Sequence, residues 1–235
     1  MDMSTSVAAA FGLLGSTDPA FWRIVGLSLR VTLSAVAIAA LVGLPIGAAL
    51  AVARFPGRSV VLVVVNTMMG FPPILAGLLV YLLLSRSGPL GFLALLYSPG
   101  AMIAAQTFLV TPIVIALSRQ TIEDLWSEYE EQLRALGSGP LRAVPTLLWD
   151  ARYSLMTAVL AGFGRAAGEV GAILIVGGNI AGHTRTMTTA IALETSKGDL
   201  ALAIGLGIVL VTVMCLVNVT TVLLARAARF AEGWR

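Results

Sequence analysis

Long apolar runs separated by short polar segments dominate the pattern along this chain. Five of the runs are long enough for a membrane-spanning helix, which needs about 20 largely apolar residues. None of them alternates between apolar and polar positions as the strands of a membrane barrel do, so the pattern predicts an all-α membrane protein. The five predicted spans are Ile24–Ala53, Val60–Leu84, Ala101–Leu117, Leu155–Gly178 and Leu200–Ala225.

The composition agrees with a membrane protein. Of the 235 residues, 58% are hydrophobic and only 11% are charged, whereas soluble domains carry about 25% charged residues. The basic residues stand singly between apolar runs, so the net charge of +3 does not indicate a nucleic-acid partner. With one cysteine, Cys215, and one histidine, His183, we expect no disulfide framework, no metal site and no cofactor. We find no repeat and no second domain, so residues 1–235 are predicted to form one helical bundle.

Basic residues between the spans predict the orientation of the chain in the membrane. Five spans place the termini on opposite sides, and the cytoplasmic side usually carries the excess of Lys and Arg. One side holds nine basic residues and the other holds five, which predicts an external N-terminus and a cytoplasmic C-terminus. The predicted cytoplasmic group is Arg54, Arg58, Arg119, Arg134, Arg142, Arg152, Arg226, Arg229 and Arg235, and the external group is Arg23, Arg30, Arg86, Arg185 and Lys197.

The longest polar run is EYEEQLRALGSGP (Glu128–Pro140), inside a mixed segment that covers residues 118–152 between the third and fourth spans. In the predicted orientation this segment is cytoplasmic. Apolar residues recur near the helical period over Glu123–Leu136, which predicts a short helix there. The two glycines of the run would end this helix, and its final proline would begin a second one. The segment is either an amphipathic linker on the membrane surface or a docking element for a partner in water.

The stretch EQLRALG, Glu131–Gly137, resembles the glutamate–(x)5–glycine core of the EAA loop in permease subunits of ABC transporters. In that family the loop forms a coupling helix that sits in a groove of the cytoplasmic ATPase. The resemblance therefore implies an ATPase-coupling role for Glu131, Ala135 and Gly137.

Two departures from the EAA pattern follow the same stretch. Gln132 and Leu133 replace alanines of the pattern. Permeases for molybdate and sulfate usually continue with a Leu-Pro pair further along, where this chain has Trp149 and Asp150. The second departure indicates a different branch of the family.

Three further stretches resemble the permease subunit of tungstate ABC transporters, the TupB family. They are NTMMGFPPILAGLLVYLLLSRSGPLG, GRAAGEVGAILIVGGNI and TRTMTTAIALETSKGD. The resemblance extends from Arg30 to Leu224, although the GRAxGExG segment alone would also fit molybdate permeases. It implies the fold of a type I ABC importer permease and a homodimer of this subunit. It also implies two cytoplasmic ATP-binding subunits and an external substrate-binding protein that delivers the oxyanion.

The chain has no G-x-x-x-x-G-K-[ST] motif, which is the loop that holds nucleotide phosphates in many ATPases. We therefore expect no catalytic residues in this subunit. ATP hydrolysis would belong to a partner subunit, in agreement with the resemblance.

The second predicted span contains GFPP, Gly70–Pro73, near its middle. Two consecutive prolines should break the helix there, and broken helices at membrane depth are typical of transport pathways. The second half-helix would direct its N-terminal amides and its positive dipole end toward the midplane, where a dianion could rest transiently. Prolines also occur in spanning helices for packing reasons. The pathway candidates at this break are Gly70, Pro72, Pro73 and Ile74.

The fourth predicted span contains two charged residues, Arg165 and Glu169, which are four apart and would share one face of a continuous helix. Charges inside a span usually face protein or water. The pair either neutralises itself and holds helices together, or places Arg165 in the pathway while Glu169 holds its side chain. Both residues are candidates for the translocation pathway.

The leading hypothesis is the membrane subunit of an ATP-driven oxyanion importer, with tungstate as the cargo. Molybdate and vanadate are the alternatives, because their similar size and charge leave few signals in a permease sequence. A different alternative is an ATP-independent channel or carrier that uses the broken second span. The external loop Gly177–Asp199 could meet an anion or the binding protein through Arg185 and Lys197, and we expect His183 at the surface.

Overall fold

The computed structural model describes residues 12, 15 and 18–232, with side chains up to Leu223. Within these residues every regular element is helical, which confirms the all-α prediction. The orientation of the chain in a membrane stays a prediction. The helices are α1 (Pro19–Val52), α2 (Arg58–Met69), α3 (Pro73–Leu84), a 3₁₀ helix (Gly91–Leu93), α4 (Pro99–Ala135), α5 (Pro140–Asp150), α6 (Arg152–Ala167), α7 (Gly171–Gly177), α8 (Met187–Lys197) and α9 (Leu200–Glu232).

Three of these helices, α1, α4 and α9, are long and apolar enough to cross a membrane. Two bent pairs, α2 with α3 and α6 with α7, are each long enough when taken together, which raises the number to five by length and composition. The five predicted spans correspond to these three helices and two pairs. A break therefore interrupts the second span, as predicted, and another interrupts the fourth, which the sequence pattern did not predict.

The helix α4 is continuous from Pro99 to Ala135. The predicted separation between a third span and a short helix at Glu123–Leu136 is therefore wrong. The reason is local: between Pro112 and Gly137 the chain contains no glycine or proline that would stop a helix. An ion pair between Arg119 and Glu123, one turn apart, also supports the helix where it leaves the apolar run.

The predicted external loop Gly177–Asp199 contains the eleven-residue helix α8. Thr186 begins it in a capping box. The Thr186 side chain accepts from the Thr189 amide, and the Thr189 side chain accepts from the Thr186 amide. Gly198, with φ 83°, ends it. The predicted loop is therefore a helix over Met187–Lys197, whereas His183 is exposed as predicted.

Contacts divide the chain into two compact units. The first consists of the chain up to Ser34, Pro72–Gln106 and Ala167–Thr220, and the second of Ala35–Phe71, Thr107–Ala166 and the chain from Thr221. The single domain over residues 1–235 stays a prediction.

The first unit has a core between α1, α8 and α9. Its buried residues are Phe21, Val25, Met187, Ala190, Leu206 and Val209. The Met187 amide donates to Ser28 Oγ at 2.6 Å. Since that serine also donates to the Ile24 carbonyl at 2.8 Å, α8 is held directly against the beginning of α1.

The second unit has a core where the last turns of α1 meet α4, α5 and α6. Its buried residues are Ala48, Ala51, Val52, Ile122, Trp126, Ala143, Leu147, Ala151 and Leu155. Small residues on α1 permit a close approach to α4. A Cβ added to Gly47 would lie 2.5 Å from the Ile115 carbonyl oxygen and 2.8 Å from Ser118 Cβ. Ser118 Oγ also donates across this contact to the Leu44 carbonyl at 3.1 Å.

The contact at Gly47 yields a test of the packing between α1 and α4. We expect Gly47→Ala to lower the free energy of unfolding by about 1–3 kcal/mol, because the new methyl group overlaps backbone atoms that cannot rotate away. The matched control is Gly164→Ala in α6, where no atom lies within 4 Å of the new Cβ. Thermal unfolding in detergent should show a lower midpoint for the first variant and an unchanged or higher midpoint for the second. Equal midpoints for the two variants would contradict the close contact.

Candidate functional site

The break between α2 and α3 satisfies its backbone locally. The amides of Gly70 and Phe71 donate to carbonyls of the last turn of α2, at 3.2 and 3.1 Å. Pro72 and Pro73 have no amide hydrogen to satisfy, and Pro73 is the first residue of α3, as predicted. The amide of Ala76 then donates to the Pro72 carbonyl at 3.1 Å and begins the helical ladder. The amides on both sides of the prolines, those of Gly70, Phe71 and Ala76, therefore have partners within the adjoining helices.

The break between α6 and α7 uses a carboxylate instead of prolines. Glu169 is only 3% exposed, and its Oε1 accepts from the amide of Ala172 in the first turn of α7 at 3.1 Å. Its own carbonyl accepts from Thr188 Oγ1 of α8 at 2.8 Å. The Glu169 side chain thus accepts from a backbone amide of α7, and the Thr188 side chain donates to a backbone carbonyl of the break.

The half-helices α3 and α7 pack against each other at very short range. A Cβ added to Gly77 would lie 2.8 Å from Ala172 Cα, and a Cβ added to Gly171 would lie 2.9 Å from Ile74 Cγ1. The same added atom on Gly171 would lie 3.7 Å from Glu169 Oε1. The structure therefore brings the N-terminus of α3, the N-terminus of α7 and the buried Glu169 carboxylate together in the first unit.

The structure gives the exposure and the helix position of each predicted pathway residue. Gly70, Pro72 and Ile74 are exposed, and Pro73 is partly buried at the start of α3. The prediction that Arg165 and Glu169 share one helix face is wrong, because α6 ends at Ala167 and α7 begins at Gly171. The role of all these residues in translocation stays a prediction.

Sequence reasoning missed the contribution of α8 to this site. Thr184, Thr186, Thr188 and Thr189 are all buried, and Thr188 is the residue that reaches Glu169. The sequence did contain a signal for this helix. Thr186 is a residue type favoured at helix N-caps, and Gly198 is one favoured just after a helix ends.

The turn after α4 has the geometry that the sequence predicted. Gly137 adopts φ 76°, its amide donates to the Arg134 carbonyl at 2.9 Å, and the Ser138 amide donates to the Leu133 carbonyl at 2.9 Å. These two bonds form a Schellman motif, which favours glycine at the left-handed position. Gly139 then precedes Pro140, the first residue of α5.

One side of this turn is exposed. Glu131, Ala135 and Gly137, the three predicted coupling residues, are all exposed. The turn also exposes two leucines: Leu136 retains 83% and Leu141 64% of its accessible surface. This part of the surface therefore presents apolar side chains beside the three predicted coupling residues.

The other side of the turn is fixed to the second unit. Trp126 of α4 and Leu147 of α5 are buried in the core described above. At the end of α1, Arg54 lies 3.5 Å from Glu130, which also pairs with Arg134 at 2.5 Å. Each of these partly exposed pairs contributes little alone, but together with the core they define one position for the turn.

A second group of charges supports the same segment from the start of α2. Arg58 donates from Nη2 to Glu123 at 3.0 Å and from Nε to the Leu50 carbonyl at 2.9 Å. Glu123 also pairs with Arg119. The guanidinium of Arg58 therefore joins the end of α1 to the polar C-terminal part of α4.

The capping bond of Glu169 yields a test of its structural role. Glu169→Ala should lower the free energy of unfolding by about 1–3 kcal/mol, because the buried amide of Ala172 would lose its acceptor. Glu169→Gln keeps an oxygen at the same place and should lose less stability. Thermal unfolding in detergent, followed by circular dichroism, measures the order of the three proteins. A glutamine variant as unstable as the alanine variant would show that the negative charge matters more than the cap.

Comparison with known proteins agrees with this architecture. Residues 43–230 match the family described as binding-protein-dependent transport system inner membrane component. The chain is 41% identical over 210 residues to the protein named tungstate uptake system permease protein TupB of Peptoclostridium acidaminophilum, covering 89% of this chain and 92% of the relative. It is 42% identical over 214 residues to a probable anion ABC transporter permease protein of Haloferax volcanii, covering 89% and 90%.

A third relative is the tungstate uptake system permease protein TupB of Campylobacter jejuni, with 39% identity over 168 residues, 72% of this chain and 70% of the relative. The family match covers both helix breaks and the whole turn after α4. This chain belongs to the family of inner membrane components of binding-protein-dependent transport systems.

Proposed function

We propose that this chain is the membrane-spanning subunit of an ATP-driven importer of tungstate. Membership of the transport family supports the general role, and the relatives named as tungstate permeases support the cargo. A probable anion permease at comparable identity supports an anionic cargo more generally. Molybdate and vanadate are the alternative cargoes within this proposal.

The observation that carries the proposal is the exposed turn Glu131–Gly137 at the end of α4. On one side, the buried core of the second unit and the ion pair between Glu130 and Arg134 hold the turn in place. On the other side, the Glu131 carboxylate and Leu136 are exposed. A rigid element with a free face is suited to receive force from a partner. Since α4 is a single helix of 37 residues, about 55 Å long, a displacement of the turn would move the apolar part of the same helix.

The partners in this proposal are a second copy of this subunit, two cytoplasmic ATP-binding subunits and an external substrate-binding protein. The absence of a phosphate-binding loop from the sequence supports ATP hydrolysis by a partner. The N-terminus would be external and the C-terminus cytoplasmic, in line with the distribution of arginines.

The proposed pathway for the anion passes the break between α2 and α3. Exposed Gly70, Pro72 and Ile74 lie at this break, and the N-terminus of α3 supplies amides and a positive dipole end. Arg165, half-buried at the end of α6, would contribute positive charge to the path. Glu169 has a structural task as the cap of α7, and we propose that it borders the pathway through that cap rather than by contact with the anion.

Charge reversal at the turn tests the coupling role. We expect Glu131→Lys to reduce cargo-stimulated ATP hydrolysis by more than about tenfold, because a reversed charge in a protein interface costs several kcal/mol. The matched control is Asp124→Lys, an exposed acidic residue on the same helix face two turns earlier, about 10 Å from Glu131 along the axis. Both variants should insert into the membrane to the same level. Equal ATPase activity of the two variants would remove the coupling role from Glu131.

Transport by the reconstituted system tests the function and the cargo. Proteoliposomes would contain this subunit with the ATP-binding subunit and the binding protein of the same organism. Uptake of tungstate, molybdate, vanadate and sulfate would be measured with and without ATP. We expect ATP-dependent uptake of tungstate. Preference for another oxyanion would change the cargo and keep the importer, whereas flux that ignores ATP would favour a channel.

A further inference from the structure

We propose that a small recess at the N-terminal end of α1 is a binding site for the oxyanion, distinct from the helix breaks. This inference rests on the proposed function for the identity of the anion. The recess has a volume of about 190 Å³, below the range of about 300–1,000 Å³ that is typical for drug-sized ligands. It is lined by Ala20, Arg23, Ile24, Leu27, Ala181, Gly182, His183 and Arg185.

Two arginines line the recess. Arg23 from α1 approaches the loop closely, since a Cβ added to Gly182 would lie 3.8 Å from Arg23 Nη1. Arg185 and His183 come from the loop itself, and among the residues that the structure describes no carboxylate lines the recess. Guanidinium groups match a tetrahedral oxyanion well, because their N–H donors form a planar fork.

The Nε–H group of Arg185 makes no hydrogen bond to any residue that the structure describes. Its side chain lies 3.8 Å from Glu194, and its Nη2 donates weakly to the Asn179 carbonyl at 3.5 Å. Its Nε is buried and has no hydrogen-bond partner within the described residues. A buried donor without an acceptor is costly, so the side chain of Arg185, which lines the recess, retains unused hydrogen-bonding capacity.

Two carboxylates near the recess are already engaged. Asp18 accepts from the Ala20 amide at 2.9 Å, where it caps the start of α1. Glu194 accepts from Lys197 at 3.0 Å in addition to its contact with Arg185. Arg23, in contrast, is exposed and makes no ion pair with any described residue. The three basic residues Arg23, Arg185 and Lys197 outnumber these two carboxylates, so the surroundings of the recess keep a net positive charge.

The walls of the recess are fixed before a ligand arrives. The loop wraps around one carbonyl, that of Ile180, which accepts from the amides of His183, Thr184 and Arg185 at 3.0–3.1 Å. Thr184, which is fully buried, donates to the Gly177 carbonyl at 2.5 Å and accepts from the Ile180 amide at 2.9 Å. The other wall, α1, is held to α8 by the bond between Met187 and Ser28. A preformed site loses little conformational entropy on binding.

The place of the recess in the chain suggests when the anion would use it. Arg23 and Arg185 both belong to the group of arginines that the sequence pattern places outside the membrane. An anion released by an external binding protein would meet this end of the subunit first. The site would hold the anion weakly, because a transport path must also release it.

Substitution of Arg23 tests the site without disturbing the fold, since this side chain is exposed. The probe is tungstate, and its binding to the complete transporter in lipid nanodiscs would be measured by equilibrium dialysis without ATP and without the binding protein. We expect Arg23→Gln to weaken binding about tenfold, the loss that corresponds to one charge-assisted hydrogen bond. Arg23→Lys should retain part of the affinity. The matched control is Arg30→Gln, an exposed arginine of the same helix that does not line the recess, and its affinity should equal that of the wild type.

The outcomes separate this inference from the proposed function. If the wild type imports an oxyanion with ATP but Arg23→Gln and Arg30→Gln bind tungstate equally, the recess is not a site and the importer stands. If the wild type binds tungstate in a manner that depends on Arg23 but imports no oxyanion, the site stands and the proposed function fails. Absence of saturable tungstate binding to the wild type would also overturn the site.

Discussion

The structure depends on one constraint: a backbone group inside a membrane must find its hydrogen-bond partner within the protein, because lipid offers none. A continuous helix meets this constraint by itself, but each break in a span exposes amides and carbonyls. The two broken spans meet the constraint in different ways. At Phe71–Pro73 the prolines remove two donors from the chain, and the remaining amides return to the preceding turn. At the second break the Glu169 carboxylate and the Thr188 hydroxyl supply partners from side chains.

The difference between the two breaks explains what the sequence could and could not predict. Prolines act on their own backbone, so Pro72 and Pro73 were sufficient to place the first break and the start of α3. The second break has no proline, and Glu169 takes its role only because Ala172 and Thr188 lie beside it in the fold. The helix α8 was missed for a similar reason. Its buried threonines and its bond to Ser28, 159 residues away in sequence, depend on contacts that a local pattern does not contain. The turn at Gly137 was predicted correctly because a Schellman motif is local.

A buried acid was open to two readings in the sequence, one as a partner for Arg165 and one as part of a pathway. The observed bond from the Ala172 amide adds a third role, because the carboxylate stabilises the start of a half-helix. Glu169 also lies close to the N-terminus of α3. Because Gly171 and Ile74 are in close contact, a displacement of either half-helix would displace the other. The Glu169 carboxylate thus helps to determine the geometry of the break between α6 and α7.

Single prolines show why only some spans are broken. Pro45 lies inside α1 and Pro112 inside α4, and both helices continue past them. One proline removes one hydrogen bond and bends a helix, and its neighbours can compensate. The pair at Pro72–Pro73 also forces the residue before each proline away from helical geometry, and Pro72 is extended with ψ 124°. The chain therefore keeps α1 and α4 intact, and the last turns of α1 pack against α4 in the buried core beside the turn at Gly137. It interrupts α2–α3 and α6–α7, whose half-helices α3 and α7 border the buried Glu169. A continuous helix satisfies its own backbone groups, whereas each broken one needs prolines or side-chain partners at its break.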